Sequence, residues 1–398
     1  MNQPNDNRIP RGPRVAPFYA GEIGRRGELR KRAGLPLLAM HFGQPTAGPP
    51  AAAISAAHRV LDSDAMGYWE SQALRERLVR HYHETYGVTI TVDQVLLTAG
   101  ASAGLVATFA ALFRAGDRVG VVSPGYPAYR NTLHALGLQA VELHCSRETG
   151  YKPTPAMVAA VVPPLRGLIL ASPANPTGTM LNAHELAIMT GACRAQGIHL
   201  ISDEIYHGIA FGEPAHSALE SDPGVVVINS FSKLYRMPGW RLGWMIVPPH
   251  WAENFSAILI NMFLTPSTLA QHVALAAMDE PADLQHWVDV YAQNRTRLAA
   301  GLAALGIVDI APPDGAFYLY ANIGHITRDS LQFCIRAVEE TGVALAPGID
   351  FDVERGQQFV RFSFAVAPAE IDEALQRLGP WLPRYRDVTA APPRAAGC

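Results

Sequence analysis

Short, continuously apolar runs alternate with helix-length segments through the middle of the chain. Strands are predicted in the runs at residues 94–100, 117–125, 165–178, 197–204, 224–233 and 242–249. A helix from about Ser102 to Phe113 follows the first of these strands. Apolar runs rich in β-branched residues are typical of strands buried on both faces of a mostly parallel sheet, and helical segments between them indicate βαβ units. The pattern therefore predicts an α/β fold.

The pattern changes after about residue 250, where long helical segments take over. Residues 281 to 305 predict one long helix, with apolar positions that include Leu284, Val288 and Leu298. The rest of the chain predicts a smaller α+β unit that contains the segments 315–323, 329–341, 343–348, 359–365 and 368–378, of which the second and the last are helical. Residues 1–14 and the tail TAAPPRAAGC are predicted to be flexible.

Composition and charge favour a soluble globular protein and point to neither a nucleic-acid nor a membrane partner. The 398 residues are 49% hydrophobic and 17% charged, which is typical of folded domains. A net charge of −3 gives no indication of a nucleic-acid or anionic membrane partner. No apolar run is long enough for a transmembrane span, and the N-terminus lacks the apolar core of a signal peptide.

The cysteines and histidines indicate neither a disulfide framework nor a metal site. Four cysteines lie far apart and form no CxxC pair, namely Cys145, Cys193, Cys334 and Cys398. No histidine stands at metal-ligand spacing from them, so no metal is predicted. The expected compartment is the reducing cytoplasm.

The unusual polar motifs fall at the predicted carboxyl ends of strands, where open α/β sheets carry their functional loops. Gly100-Ala101-Ser102 opens a helix, and backbone N–H groups at a helix N-terminus can hold a phosphate. Small residues are also common in ordinary strand-to-helix turns, so this signal is weak alone. Tyr126 in PGYPAY and Asn175 in NPTG would, in isolation, be a packed turn aromatic and a turn residue.

Asp203 and Lys233 each come directly after an apolar strand, in SDEIY and SFSKLYRMPGWRLGW. A buried carboxylate needs a partner because unpaired burial is costly, although an acid at this place is more often a helix N-cap. A lysine in a dry pocket near other cations has a lowered pKa and can attack a carbonyl carbon. A single lysine more often extends its ammonium group to the surface.

These signals gain weight together because they match the parts of one cofactor. Pyridoxal 5′-phosphate has a phosphate, a flat ring, a phenolic oxygen, a pyridine nitrogen and an aldehyde. The candidate residues offer one group for each part, in the same order: a helix N-terminus for the phosphate, an aromatic side chain for the ring, an amide for the phenolic oxygen, a buried acid for the pyridine nitrogen and an amine for the aldehyde. The acid keeps the pyridine nitrogen protonated, so that the ring accepts electrons. The sequence therefore predicts a site for pyridoxal 5′-phosphate, with Lys233 binding the aldehyde as a Schiff base.

In the motifs NPTG, SDEIY, SFSKLYRMPGWRLGW and FVRFSFA, in that order, the sequence resembles the class I/II aminotransferases, the aspartate aminotransferase-like enzymes of fold type I. The likeness extends from about Gly43 to residue 378. It implies a three-layer αβα large domain around a mostly parallel sheet, at residues 47–290. It also implies a smaller α+β domain, formed by residues 15–46 and 291–390, and a homodimer.

The resemblance implies a role for each residue that matches a family motif. Lys233 carries the cofactor and then moves the proton, while Asp203 pairs with the pyridine nitrogen. Asn175 and Tyr206 hydrogen-bond the phenolic oxygen, and Tyr126 stacks on the ring. The phosphate is held by Ala101, Ser102, Ser230 and Arg241.

Three further residues match family positions around the substrate and the neighbouring subunit. Arg361 in FVRFSFA corresponds to the arginine that binds the substrate α-carboxylate. Gly43 in HFGQP lies where the family brings the backbone close to that carboxylate. Tyr68 in MGYWES corresponds to a tyrosine that reaches the phosphate of the neighbouring subunit.

The predicted activity is the transfer of an amino group from an L-amino acid to a 2-oxo acid. A β-eliminating carbon–sulfur lyase on the same fold remains open, because the motifs around the cofactor do not separate the two reactions. A regulator with an aminotransferase-like sensor domain would need a DNA-binding module, and only about 40 residues precede HFGQP. Ser102 stands where some aspartate-type members carry a lysine for a second carboxylate, so the sequence favours neutral or aromatic donors.

Overall fold

The computed structural model describes residue 13 and residues 15–390, with side chains described up to Arg386. Its α-helices are α1 (Tyr19–Arg32), α2 (Ala51–Ser63), α3 (Gln72–Tyr86), α4 (Ala101–Leu112), α5 (Pro127–Ala135), α6 (Pro155–Ala159), α7 (Ala183–Ala195), α8 (Ala252–Phe263), α9 (Thr268–Met278), α10 (Pro281–Ala304), α11 (Ser330–Thr341) and α12 (Pro368–Ala390). Its strands are β1 (Leu38–Ala39), β2 (Val95–Thr98), β3 (Arg118–Ser123), β4 (Gln139–His144), β5 (Gly167–Ala171), β6 (His199–Asp203), β7 (Val226–Ser230), β8 (Gly243–Ile246), β9 (Tyr318–Asn322), β10 (Val343–Ala344), β11 (Ala346–Pro347) and β12 (Phe359–Ser363).

Seven strands form the central sheet, in the order β2-β8-β7-β6-β5-β3-β4. The strands from β7 to β4 run parallel, while β8 is antiparallel to both of its neighbours. Every residue of β7 is buried, as expected of a strand covered on both faces. Each strand predicted in this part of the chain is present. The edge strand β4 was not predicted, because its exposed and half-buried positions leave no continuous apolar run.

Helices cover both faces of the sheet. On one face α4, α5 and α8 pack against residues that include Ile169 and Ile228. On the other face α3, α7 and α9 pack against residues that include Leu168 and Val227. Successive residues of a strand point to opposite faces, so each apolar run contributes to two cores. The predicted αβα arrangement is confirmed.

The carboxyl ends of several strands meet along one edge of this sheet. β5 ends at Ala171 beside Asp203, the last residue of β6, and β7 ends at Ser230. Because β8 is antiparallel to both β7 and β2, β2 has the same direction as β7 and ends at the same edge. Helix α4 begins there at Ala101. The fold thus brings together the polar motifs that follow these strands.

A second core forms around a three-stranded antiparallel sheet, β11-β12-β9, with the short parallel pair β1-β10 nearby. The long helix α10 agrees with the predicted range. Its Leu284 belongs to a core of the seven-stranded sheet, whereas Val288 and Leu298 belong to the second core. On the basis of these separate cores we propose the division into residues 47–290 and residues 15–46 with 291–390.

The C-terminal helix is longer than predicted. It was expected to end at residue 378, yet α12 continues to Ala390 through Pro380 and Pro383. A proline inside a helix removes one hydrogen bond, but Trp381 and Tyr385 are buried against the second core and hold this part of the helix in place. The flexible tails predicted for the two ends lie outside the described residues, except for residue 13 and the start of the C-terminal tail. Among the described helices, none has both the length and the hydropathy that a membrane span requires.

Candidate active site

A cavity of about 300 Å³ lies at the carboxyl edge of the central sheet. All the predicted site residues except Tyr68 line it, namely Gly43, Ala101, Ser102, Tyr126, Asn175, Asp203, Tyr206, Ser230, Lys233, Arg241 and Arg361. These residues come from distant parts of the chain, and the parallel strands are what bring them together. The cavity also receives groups that the sequence did not single out, including Phe18, Phe42, Tyr129, Ser232 and Tyr318.

Lys233 lies in the cavity just after the end of β7. Its Nζ donates a hydrogen bond to the carbonyl oxygen of Gly43, at 2.5 Å. Loss of hydration lowers the pKa of Lys233 to about 8, and the positive charges of Arg361 and Arg241 add to this effect. The negative charge of Asp203 opposes it. A substantial fraction of this amine is therefore neutral near pH 8, as nucleophilic attack on a carbonyl requires.

Asp203 is buried at the end of β6, and both of its oxygens accept hydrogen bonds. The hydroxyl of Tyr129 donates to Oδ2 at 2.5 Å, and the backbone N–H of Ile205 donates to Oδ1 at 3.1 Å. Burial raises the pKa of Asp203, while these two donors and the charge of Lys233 lower it. A cation placed against this carboxylate would favour its ionised form. Tyr129 was missed, because a tyrosine three residues after Tyr126 has the spacing of ordinary helix packing.

The N-terminus of α4 and the turn after β7 form a candidate anion site. No side chain in the described part of the chain caps α4, whose N-cap residue Gly100 has φ of 78°. The hydroxyl of Ser230 donates to Ser232 at 2.8 Å. The guanidinium of Arg241 lies so close to Gly100 that a Cβ there would come within 2.5 Å of Nη2. Helix N–H groups, hydroxyls and an arginine form a set of donors that suits a phosphate.

Arg361 is held by hydrogen bonds from two of its three nitrogens, which leaves Nε to donate to a further ligand. Nη1 donates to Asn175 Oδ1 at 2.7 Å, and Nη2 donates to the His41 carbonyl oxygen at 2.6 Å. The guanidinium carbon lies 4.3 Å from the ring centroid of Tyr318 and 4.7 Å from that of Phe351. Nε is buried without an acceptor among the described residues. A buried, oriented guanidinium with a spare donor is suited to a carboxylate.

Asn175 and Tyr206 both line the cavity. The oxygen of Asn175 is used by Arg361, which leaves its amide N–H₂ as a donor in the cavity. Tyr206 is buried, and its hydroxyl lies 2.5 Å from the hydroxyl of Tyr318. Tyr126 packs edge-on against Tyr129 in the cavity wall. Tyr318 was missed, because GAFYLYANI shows only the pattern of a buried strand.

Tyr68 does not reach the cavity of its own chain. Its side chain is 83% exposed and lies in a separate depression with Leu61 and residues 265–269. A single chain therefore leaves the predicted role of Tyr68 open, because that role requires a second subunit.

The residues present fit pyridoxal 5′-phosphate. The uncapped helix N-terminus and Arg241 suit a phosphate, and Asp203 suits a protonated ring nitrogen. Lys233 offers an amine with a lowered pKa, and the spare donor of Arg361 suits a second, carboxylate-bearing molecule. An amine, a buried acid and two separated sets of donors that suit anions lie in one cavity, an arrangement that can support proton transfer at a carbon atom of a bound substrate.

Comparison with known proteins gives matches over nearly the whole chain. Residues 37–378 match the family described as aminotransferase class I and II. The chain is similar to a valine–pyruvate aminotransferase of Mycobacterium tuberculosis, with 44% identity over 376 residues that cover 93% of this chain and 97% of that protein. It is also similar to an aspartate/prephenate aminotransferase of Thermus thermophilus, with 29% identity over 88% of this chain and 92% of that protein.

Solved structures agree with these matches. The crystal structure of an aminotransferase from Mycobacterium tuberculosis has a TM-score of 0.90 and 43% identity, covering 93% of this chain and 97% of that one. The aspartate aminotransferase of Thermus thermophilus with maleate has a TM-score of 0.86 and 28% identity, covering 92% of this chain and 97% of that one.

Proposed function

The chain belongs to the class I and II aminotransferases, and we propose that within this family it takes neutral amino acids as donors and a small 2-oxo acid as acceptor. Members of the family depend on pyridoxal 5′-phosphate and transfer an amino group from an amino acid to a 2-oxo acid. The β-eliminating lyase that the sequence left open is not supported, because the relatives reported above are aminotransferases.

The residues that line the cavity are the main support for neutral amino acids as donors. Its cations are Lys233, Arg241 and Arg361, and each has a proposed role at the cofactor or at the α-carboxylate. Apolar groups such as Phe18 and Phe42 line the cavity as well. A donor with a second carboxylate would have no basic partner among the described residues of the cavity, and burying an unpaired charge is costly. The similarity to a valine–pyruvate aminotransferase supports the same choice.

The cofactor, when bound, withdraws electrons from the α-carbon of the amino acid. In our proposal Lys233 binds the cofactor and then moves the proton at the α-carbon. Asp203 holds the proton of the pyridine nitrogen, and Asn175 and Tyr206 donate to the phenolic oxygen. Tyr126 limits the position of the ring. These roles follow from the family resemblance and are compatible with the hydrogen bonds described above.

A panel of donors tests the proposed specificity. Valine, alanine, leucine, methionine, phenylalanine and aspartate would be compared in half-reactions that follow cofactor absorbance, with pyruvate and 2-oxoglutarate as acceptors in steady state. We expect the neutral donors to exceed aspartate in kcat/KM by roughly 10-fold or more, because an unpaired buried charge costs at least that much in binding. A strong preference for aspartate would mean that an acid-binding residue lies elsewhere.

Replacing Arg361 by lysine should weaken every amino acid substrate. Lysine lacks the planar fork that binds a carboxylate through two donors. We expect kcat/KM to fall roughly 10- to 100-fold, which corresponds to the loss of about one charge-assisted hydrogen bond. The absorbance of the bound cofactor should stay almost unchanged. Arg297→Lys, at a surface ion pair with Asp372, is the matched control. An Arg361→Lys enzyme with wild-type kcat/KM would disprove the carboxylate role.

We further propose that the enzyme is a homodimer with shared active sites. Tyr68 shares a surface depression with Leu61 and residues 265–269, and Leu61 and Leu264, the residue before this segment, are each about half exposed. Clustered exposed apolar groups usually mark an interaction surface. A second chain on this surface would place Tyr68 near the phosphate of its neighbour, as the family resemblance implies.

Light scattering should give a particle of twice the 43.0 kDa chain mass. Tyr68→Phe should remain dimeric and bind pyridoxal 5′-phosphate several-fold more weakly, because one hydrogen bond to the phosphate is lost. A fully active monomer would contradict both parts of this prediction.

We also propose a cytoplasmic location. Cys145, Cys193 and Cys334 are buried and unpaired. Free thiols are typical of proteins that work in a reducing compartment.

A further inference from the structure

Tyr318 is a buried tyrosine that contacts three residues of the proposed site at once. It begins β9 and has no exposed surface. Its hydroxyl lies 2.5 Å from the hydroxyl of Tyr206. The guanidinium carbon of Arg361 lies over its ring, 4.3 Å from the ring centroid. Its hydroxyl also lies directly beside Gly43. These contacts connect Arg361, which is proposed to bind the substrate carboxylate, with Tyr206, which is proposed to donate to the phenolic oxygen.

The position of Tyr318 explains why residue 43 is a glycine. A Cβ at this position would lie 1.9 Å from the hydroxyl oxygen of Tyr318 and 2.9 Å from the ring carbon that bears it. Any larger residue would therefore displace the Tyr318 hydroxyl or the backbone at residue 43. The carbonyl oxygen of Gly43 is the acceptor for Lys233, so Tyr318 also limits where this acceptor can lie.

The two phenols share one hydrogen bond, and their surroundings favour Tyr318 as its donor. Two hydroxyls 2.5 Å apart are joined by a single proton. The positive charge of Arg361 over the Tyr318 ring makes that phenol the stronger acid. Burial raises the pKa of both phenols. Arg361 is the largest influence that lowers the pKa of Tyr318, whereas the pKa of Tyr206 is raised further by the charge of Tyr318 and by the hydrogen bond with it, and Arg361 ranks below both there. When Tyr318 donates, the hydrogen of Tyr206 is free to point into the cavity.

We propose that Tyr318 is a positioning residue, which donates to Tyr206 so that the Tyr206 hydrogen is directed at the phenolic oxygen of the cofactor. The inference rests on the proposed function, because it assumes that Tyr206 and Lys233 act on pyridoxal 5′-phosphate. It adds a residue that acts through Tyr206 and that needs glycine at position 43. Hydrogen bonds arranged in such a chain strengthen one another.

The test is a spectrophotometric pH titration of the holoenzyme without substrate. The visible band of the lysine-bound cofactor reports the protonation of that linkage, and a donor at the phenolic oxygen lowers its midpoint. Tyr318→Phe should raise the midpoint by roughly half a pH unit, which corresponds to the weakening of one hydrogen bond. Tyr291→Phe removes a different buried phenol from the same core and serves as the control. This control should titrate as the wild type does.

Two further variants separate a positioning role from a merely structural one. In a Tyr206→Phe background, Tyr318→Phe should add no further shift, because Tyr318 acts through Tyr206. Gly43→Ala should reproduce the shift of Tyr318→Phe, because the new methyl group displaces the hydroxyl. An unchanged midpoint in Tyr318→Phe, or an additive shift in the Tyr206→Phe background, would overturn the inference while leaving the proposed function intact. A wild-type band that persists in Lys233→Ala would overturn both.

Discussion

Lys233→Ala should abolish the covalent attachment of pyridoxal 5′-phosphate and reduce kcat by roughly 10⁴-fold or more. Proton transfer by a positioned side chain contributes roughly 10²–10⁴-fold by itself, and covalent binding of the cofactor adds to this. The Lys233 amine lies in the cavity and has a lowered pKa. It donates a hydrogen bond to the Gly43 carbonyl oxygen and lies 5.7 Å from the ring centroid of Tyr206. No other lysine lines this cavity among the described residues.

The scarcity of lysine makes this experiment unusually clear. The chain has three lysines, Lys31, Lys152 and Lys233. Borohydride reduction of the holoenzyme, followed by peptide mapping, should mark Lys233 alone. Lys152→Ala is the matched control, because Lys152 pairs with Glu185 at 2.8 Å and lies outside the cavity. A label on Lys31 or Lys152 would disprove the central assignment.

Asp203→Ala should reduce turnover far more than it weakens cofactor binding. The carboxylate matters most when negative charge develops on the cofactor ring, so its effect is concentrated in the transition state. Removal of a preorganised group of this kind costs roughly 10²–10³ in kcat, or about 3–4 kcal/mol. The measurements are kcat in steady state and the Kd of pyridoxal 5′-phosphate for the variant. We expect Kd to change much less than kcat.

Glu204, the residue next to Asp203, provides a matched control for this variant. Glu204 is buried beside Asp203 but accepts hydrogen bonds from Ser202, Ser217 and the backbone of Ala218, away from the cavity. Burial raises the pKa of Glu204 to about 8, so at pH 7 its neutral form dominates and glutamine mimics it closely. Glu204→Gln should therefore keep kcat near the wild-type value. Near-normal turnover in Asp203→Ala would remove Asp203 from the mechanism.

The sequence predicted the strands and the strand-end residues because both are local features. β5, β6 and β7 are mostly apolar runs, Asp203 ends β6, and Lys233 comes three residues after the end of β7. Parallel strands then place their carboxyl ends together, so local motifs were sufficient to predict one shared cavity. Strand and loop patterns alone did not identify the ligand of this cavity. The resemblance of the motifs to a known family indicated the cofactor.

What the sequence did not reveal depends on contacts between distant segments. Tyr129 and Tyr318 look like ordinary packed aromatics, and their hydroxyls acquire partners only when the chain brings Asp203 and Tyr206 to them. The extension of α12 through Pro380 likewise depends on tertiary packing, which outweighed the local effect of proline. No short motif carries such information.

We expect the proposed phosphate site to make folding and cofactor supply interdependent. Its donors come from the start of α4 and from the turn after β7, segments that are more than a hundred residues apart and meet only in the folded sheet. A ligand that binds only the folded state stabilises it by mass action, by about 2.7 kcal/mol at a hundred times its Kd. Part of the stability of this enzyme is therefore supplied from outside the polypeptide. A cell short of pyridoxal 5′-phosphate would lose folded enzyme to degradation as well as losing turnover.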